Sequence, residues 1–345
     1  MLPNAVRHLL NAAQLLGMTR LGLVLSTVSG AWLMTYLAFA IEPEAHRNAE
    51  LIRLGLGWAL LAAGGTALGL SVCAVALNDV LDRRQDRALA LDAAGDDKPV
   101  AEGRVSVRAA TAVAIGALLV AVFSAGALGQ TSFRLAVLLG AGVLFYNFAG
   151  RFVPAVGIVT IGLLHGLMMA VPNPETGFAW PVWLTLSHVM ACGLVRHHLE
   201  NKRPRLKPRD IWAVLLGWGF WSLMILLLIG TRRETGQAAV GGLVWIGPVL
   251  ATLGFPLVAM WVTRAGSAVA KPGLIPILGV GSPRRFRRLS VGWLMVYDAA
   301  WLWSLGLWWQ GLTVVGLLAL VVLAAWLAHD KHAHPDRIID ELTSL

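Results

Sequence analysis

The residues best placed by type and spacing to do chemistry are Asn78, Asp79, Asp82 and Asp86, within Asn78-Asp79-Val80-Leu81-Asp82-Arg83-Arg84-Gln85-Asp86-Arg87. This run directly continues an apolar segment that begins near residue 54. On a helix advancing about 100° per residue, the three aspartates fall within an arc of roughly 60°, with Asn78 about 40° beyond Asp82. Like charges at these spacings repel by ~0.2–0.5 kcal/mol per pair, and by more where water is sparse. A divalent cation reverses that sign. Mg²⁺ takes oxygen ligands, keeps part of its water, and is commonly held by one or two carboxylates plus substrate phosphates. So placed, a metal neutralises charge developing on a leaving group, and the face suits a diphosphate bridged by Mg²⁺. The alternative is a solvated helix end whose carboxylates pair locally, Asp79 with Arg83 and Asp86 with a nearby base.

The elements that must position this face are membrane helices. Of 345 residues, 57% are hydrophobic and only 14% charged, against roughly a quarter charged in soluble domains. Apolar segments run over 21–41, 54–77, 109–129, 133–150, 152–171, 178–195, 211–231, 238–263, 289–309 and 312–328. Runs of about 20 residues cross a bilayer core of ~30 Å. The expected fold is all-α: one polytopic membrane domain over 1–345, a bundle of nine or ten transmembrane helices around a central cavity open to the cytoplasmic side. Its core occupies about 15–310, with an extra helix at 312–328 and a polar tail at 329–345. The break at Gln310-Gly311, read as a kink or a turn, decides between nine and ten.

Charge supports this parse. With a cytoplasmic N-terminus, 23 of the 28 Lys and Arg residues fall in inside loops, as the positive-inside rule requires. The net charge of +9 is therefore orientation rather than a nucleic-acid footprint, and a bacterial inner membrane is the expected location. Cys73 and Cys192 both lie in apolar segments, which argues against a disulfide framework. Ala38-Phe39-Ala40 resembles a cleavage site, but the apolar stretch before it exceeds the ~7–15 residues of a signal-peptide core; a retained first helix is expected. The three long inside loops, 78–108, 196–210 and 264–288, gather polar chemistry near the ends of helices two, four, six and eight.

After the acidic run comes Lys98-Pro99-Val100-Ala101-Glu102-Gly103-Arg104-Val105-Ser106, just before the third apolar segment. NDVLDRRQD followed by KPVAEGRVS resembles the UbiA-type superfamily of intramembrane prenyltransferases, which shows an NDxxDxxxD helix end and then an RPLxxGxxS-like segment. Lys98 stands where the family usually has Arg; either cation meets a diphosphate, Lys as a point charge and Arg as a fork. The resemblance implies Mg²⁺-dependent transfer of a prenyl group from a prenyl diphosphate to an aromatic or other hydrophobic acceptor, within the membrane. Asp79, Asp82 and Asp86 would be catalytic and, with Asn78, hold metal; Asn78 and Lys98 would bind the diphosphate. Tyr146 and Arg151, in Tyr146-Asn147-Phe148-Ala149-Gly150-Arg151, lie near where the family places a Tyr and a base beside the diphosphate.

The pattern breaks at the end of helix six. There the family carries a second DxxxD-like motif for a second Mg²⁺, and this chain reads Arg196-His197-His198-Leu199-Glu200-Asn201-Lys202-Arg203. CAVALNDVLDRR from Cys73 and CGLVRHHLENKR from Cys192 align as a weak internal repeat in which Asn201 stands opposite Asp82. Three readings follow. A second metal is held by His197, Glu200 and Asn201; or Lys202, Arg203 and protonated His meet the diphosphate directly; or the chain has lost the reaction and binds or carries a polyisoprenoid lipid. Elsewhere, Asp298 is expected to be a cavity-facing acid or a partner for Tyr297 or a neighbouring helix, because a central carboxylate costs ~2.5–3.5 kcal/mol on insertion scales. His165 and His188 are expected to make packing hydrogen bonds, and Arg284, Arg285, Arg287 and Arg288 to meet anionic lipid headgroups.

Overall fold

The computed structural model describes residues 4–42, 49–90, 98–200, 204–231, 241–264 and 283–333. Among them all regular structure is helical, in ten α-helices: α1 (Asn4–Ala40), α2 (Ala49–Ala90), α3 (Val107–Ala127), α4 (Gln130–Phe148), α5 (Pro154–Ala170), α6 (Trp180–Leu199), α7 (Pro208–Thr231), α8 (Ile246–Arg264), α9 (Pro283–Ser304) and α10 (Trp308–Ala333). The final break lies earlier than Gln310-Gly311. α9 stops at Ser304, Gly306 takes a left-handed φ of 76°, which a Cβ disfavours, and Gly311 sits inside α10.

Six of these helices are long and apolar enough to cross a membrane. Their large side chains face outward: Phe123 of α3 is 74% exposed, Leu216 of α7 is 72% and Trp261 of α8 is 73%. Such surfaces suit lipid rather than water. The chain is an integral, multi-pass membrane protein.

Lipid tails are as apolar as leucine, so helices in a bilayer associate through close packing of small residues and interhelical hydrogen bonds. α3 buries only Ala110, Ala114, Ala121 and Ala125, a stripe of small side chains laid against α2. Opposite it, Gly69 of α2 leaves no room for a side chain: an added Cβ would run into the Ala117 carbonyl oxygen and come within 2.8 Å of the Ala121 nitrogen. Gly69→Ala is therefore expected to cost about 1–3 kcal/mol, read as a lower Tm in detergent. Gly116→Ala, where a Cβ meets nothing within 4 Å, should leave Tm unchanged or raise it.

α1 packs against α2, α5, α9 and α10 and is pinned by polar pairs. Thr27 and Ser71 share a hydrogen bond of 2.7 Å, and Trp32 Nε1 donates to the Leu60 carbonyl at 2.9 Å. Asp298, 2% exposed, accepts from Ser29 Oγ at 2.5 Å, so it joins α9 to α1 and is not a cavity wall acid. Tyr297 turns instead to His188 Nδ1 at 3.3 Å, while His188 Nε2 meets the Ser290 carbonyl at 2.9 Å. That histidine packs, as expected.

Candidate functional site

α2 runs without interruption through the acidic stretch to Ala90, so the common face of Asp79, Asp82 and Asp86 exists as a surface. Arg84, Gln85 and Arg87, on the other side, are exposed, while Asp79 is buried. Each carboxylate has its own cation, and each cation comes from a different part of the chain. Arg20 of α1 grips Asp79 with both terminal nitrogens, Nη1 on Oδ2 and Nη2 on Oδ1. Arg151 reaches Asp82 at 2.6 Å and donates to Asn78 Oδ1 at 3.3 Å. Lys98 Nζ lies 3.1 Å from Asp86 Oδ2. The acidic turn is thus the meeting point of α1, the α2–α3 connection and the α4–α5 connection, not a solvated end satisfied by Arg83.

Local chemistry explains how two of these cations arrive. In 98–106 the backbone folds on itself: Glu102 N–H donates to the Lys98 carbonyl at 2.9 Å and Val105 N–H to the Pro99 carbonyl at 3.0 Å. Glu102 Oε1 accepts from Lys98 N–H at 3.1 Å, Gly103 takes a left-handed φ of 79°, and Ser106 Oγ caps α3 by accepting from Ala109 N–H at 3.1 Å. Arg87 Nε holds this turn to α2 through the Ala101 carbonyl at 2.8 Å, and Val80 packs on Val100, Val105 and Ala110. KPVAEGRVS is a self-bonded clip that delivers Lys98. Arg151 sits in a 3₁₀ turn, Gly150–Phe152, between α4 and the Pro154 that opens α5. Gly157 lets that turn come close, since a Cβ there would lie 3.1 Å from the Gly150 carbonyl.

Beside the acidic turn lies a cavity of about 800 Å³. Asn78, Asp82, Lys98 and Tyr146 line it, and one to two turns further into α2 so do Val75 and Ser71. Leu23, Leu164, Met168, Val296 and Leu318 give it an apolar body. Among its described lining residues Asp82 is the one carboxylate, against six cations: Arg20, Lys98, Arg196, Arg285, Arg287 and Arg288. The three α9 arginines therefore wall the cavity, where lipid headgroups were expected as their partners. α9 packs against α8, and Arg285 and Arg288 stay exposed where they line the cavity, with Arg287 half-buried between them. His165 also lines the cavity, with Nδ1 on the Ile161 carbonyl of its own helix at 2.9 Å.

The helix-six residues are placed differently. His197 Nε2 bonds the Pro204 carbonyl at 3.0 Å, and Glu200 stands 3.7 Å from Arg196. Neither lines the cavity, whereas Arg196 does. Asn201, Lys202 and Arg203 lie outside the described residues. Among the described residues no group of three or more His, Cys, Asp or Glu is arranged to hold a metal. Asp79, with both oxygens on Arg20, and Asp86, with Lys98, are committed to cations as the chain packs.

One oxygen at the site has no such commitment. Asn147, 2% exposed and part of the cavity wall, gives its Nδ2 to the Val143 carbonyl at 2.9 Å, while its Oδ1 is buried with no partner among the described residues. Asn78, Asp82 and Asn147 all line the cavity and offer oxygen donors, those of Asn78 and Asp82 shared with Arg151. That set fits a hard cation held by one or two protein oxygens and completed by substrate phosphate. Arg20, Arg196 and Asn147 were not foreseen as site residues. Arg20 had a signal, being the sole Asp, Glu, Lys or Arg between Arg7 and Glu42; an ionisable residue in such a helix marks a function or a buried partner.

Comparison with known proteins agrees with this architecture. No family model matches the chain. Protoheme IX farnesyltransferase 1 of Pseudomonas fluorescens is 40% identical over 122 residues, a match covering 33% of this chain and 38% of that protein. The chain thus spans well under half the length of the curated relative it matches. A solved structure of digeranylgeranylglyceryl phosphate synthase superposes with a TM-score of 0.51 at 13% identity, over 89% of this chain and 98% of that one. A UbiA homologue from Archaeoglobus fulgidus bound to GPP and Mg²⁺ gives a TM-score of 0.46 at 14% identity, over 84% and 99%. In its fold the chain is similar to digeranylgeranylglyceryl phosphate synthase, and over 122 residues its sequence is similar to a protoheme IX farnesyltransferase.

Proposed function

We propose that the protein transfers a prenyl group from a prenyl diphosphate to a hydrophobic or aromatic acceptor inside the membrane, with Mg²⁺. One observation carries this reading: a single cavity of about 800 Å³ joins a charged end, with Asn78, Asp82, Lys98 and Tyr146, to an apolar body. The partial relative, a protoheme IX farnesyltransferase, supports prenyl transfer as the reaction class.

In this reading Asp82, Asn78 and Asn147 would hold the metal, whose chemistry there would be to neutralise charge on a diphosphate leaving group. Lys98 and Arg151 meet the phosphate oxygens; Arg151 Nε is buried with no partner among the described residues. Fixed cations aimed at a leaving group act strongly in a water-poor site and need no reorganisation during the reaction. Leu164, Met168, Val296 and Leu318 shield the allylic carbon from water while positive charge develops there. Asp79 and Asp86 set the positions of Arg20 and Lys98. The basic end of the bundle faces the cytoplasm of a bacterial inner membrane, with the N-terminus on that side.

A second reading has a specific observation in its favour. Every aspartate of the acidic turn already carries a cation, as it would in a protein that binds or carries a phosphorylated isoprenoid without turning it over. Purified protein given labelled prenyl diphosphates of several chain lengths decides between them. The transferase reading expects pyrophosphate release that stops on adding EDTA and returns with Mg²⁺. Saturable binding with no release under either condition would leave the carrier.

A further inference from the structure

The wall formed by the start of α9 has a charge distribution that the acidic turn does not balance. Arg284, Arg285, Arg287 and Arg288 fall within the first six residues of α9, at the positive end of its dipole, where basic residues are unfavourable and anions are favoured. Arg285, Arg287 and Arg288 line the cavity, and so does Arg196 at the end of α6. The lining carboxylate, Asp82, already meets Arg151 at 2.6 Å. Arg196 also stands 3.7 Å from Glu200, and Arg285 Nη1 donates to the Val262 carbonyl at 3.4 Å; since each guanidinium carries five N–H donors, four of them beside a helix N-terminus still fit an anion carrying more than one charge.

Resting on the reading given under Proposed function, we infer that Arg196, Arg285, Arg287 and Arg288 form a phosphate site that takes the outer phosphate of the diphosphate directly, with no metal ion of its own. The donor chemistry agrees. Guanidinium forks match phosphate oxygens in pairs, and Asp82, the carboxylate among the described lining residues, belongs to the acidic turn on the other side. The acidic turn and the basic wall then hold the two phosphates of one ligand from either side, and α9 becomes part of the substrate site.

Phosphate oxygens come from a diphosphate or from an anionic lipid headgroup, and the test separates the two. The full chain in neutral phosphatidylcholine nanodiscs with EDTA is titrated with inorganic pyrophosphate by calorimetry. Wild-type protein is expected to bind, and Arg287→Gln/Arg288→Gln to bind at least about tenfold more weakly, the loss of one or more charge-assisted hydrogen bonds. Arg287→Lys/Arg288→Lys, which keeps the charge and loses the fork, should fall between them and guards against a folding defect. Replacing part of the lipid by phosphatidylglycerol should leave the titration unchanged; competition by that lipid would reassign the arginines to headgroups and overturn the inference. Equal affinity in wild type and Gln variant would overturn it too, as would wild-type binding that vanishes in EDTA while prenyl transfer with Mg²⁺ persists. That last result would leave the transferase reading intact. Metal-free binding without any prenyl transfer would do the reverse.

Discussion

Asp79→Asn is expected to destabilise the metal-free protein by about 3–5 kcal/mol, the usual cost of removing one partner from a buried ion pair. Asp79 is 2% exposed and Arg20 16%, and the two meet through both guanidinium nitrogens. Taking the charge from Asp79 leaves a guanidinium in a water-poor interior with an amide in place of a carboxylate, and α1 loses a tie to α2. Arg20→Met together with Asp79→Leu should recover most of the loss, because replacing a whole buried pair by apolar residues is often close to neutral. The measurement is unfolding in detergent with EDTA present, for wild type, each single variant and the double variant. Were Asp79 chiefly a metal ligand, its removal would relieve repulsion in the metal-free protein; an Asp79→Asn variant as stable as wild type in EDTA would rule out the structural role argued here.

The same pair shows where reading the sequence reached and where it stopped. Helical periodicity places Asp79, Asp82 and Asp86 on one face, and the course of α2, kinked only at Gly55 and helical from there to Ala90, realises that face. The apolar segments foretell the ten helices because bilayer thickness dictates their length. Nothing in periodicity, however, says which distant residue will stand opposite a given carboxylate. Arg20 lies 59 positions from Asp79 and Arg151 lies 69 from Asp82, so their pairing is a property of helix packing. Locally encoded features fared better. The clip that delivers Lys98 is written in Glu102, Gly103 and Ser106, each with a bond or a backbone conformation that fixes its type.

The α9 arginines show a different limit. A run of basic residues beside an apolar segment reads as a lipid-facing end whenever the orientation of that helix about its own axis is unknown. Only the packed bundle, in which α9 meets α8, α1 and α10, shows Arg285, Arg287 and Arg288 lining the cavity. The end of helix six shows the converse. His197 and Glu200 sit in a stretch that aligns with the acidic turn by repeat, yet His197 is taken by the Pro204 carbonyl and Glu200 faces Arg196. Sequence register alone assigned them a ligand role that their neighbours compete for.

Asp82→Asn carries the largest expected effect on activity, and its logic differs from that of Asp79. Asp82 is 22% exposed, lines the cavity and shares Arg151 with Asn78. Its partner therefore keeps the Asn78 amide acceptor when the charge is removed, and Asp82, unlike Asp79, is itself partly exposed, so the stability cost should be small beside that of Asp79→Asn. What is lost is the one anionic oxygen pair that the cavity presents to a bound cation. Removing a preorganised group that acts on developing charge typically lowers kcat by about 10²–10³, so Mg²⁺-dependent pyrophosphate release from a labelled prenyl diphosphate should fall by that factor while Tm moves little. Binding of the intact prenyl diphosphate in EDTA should survive, since the six lining cations remain, and should tighten slightly as a like charge leaves. A variant that releases pyrophosphate at the wild-type rate would show that the acidic turn holds the helices together and does no chemistry, because Asp82 is the only one of the three aspartates that the cavity reaches.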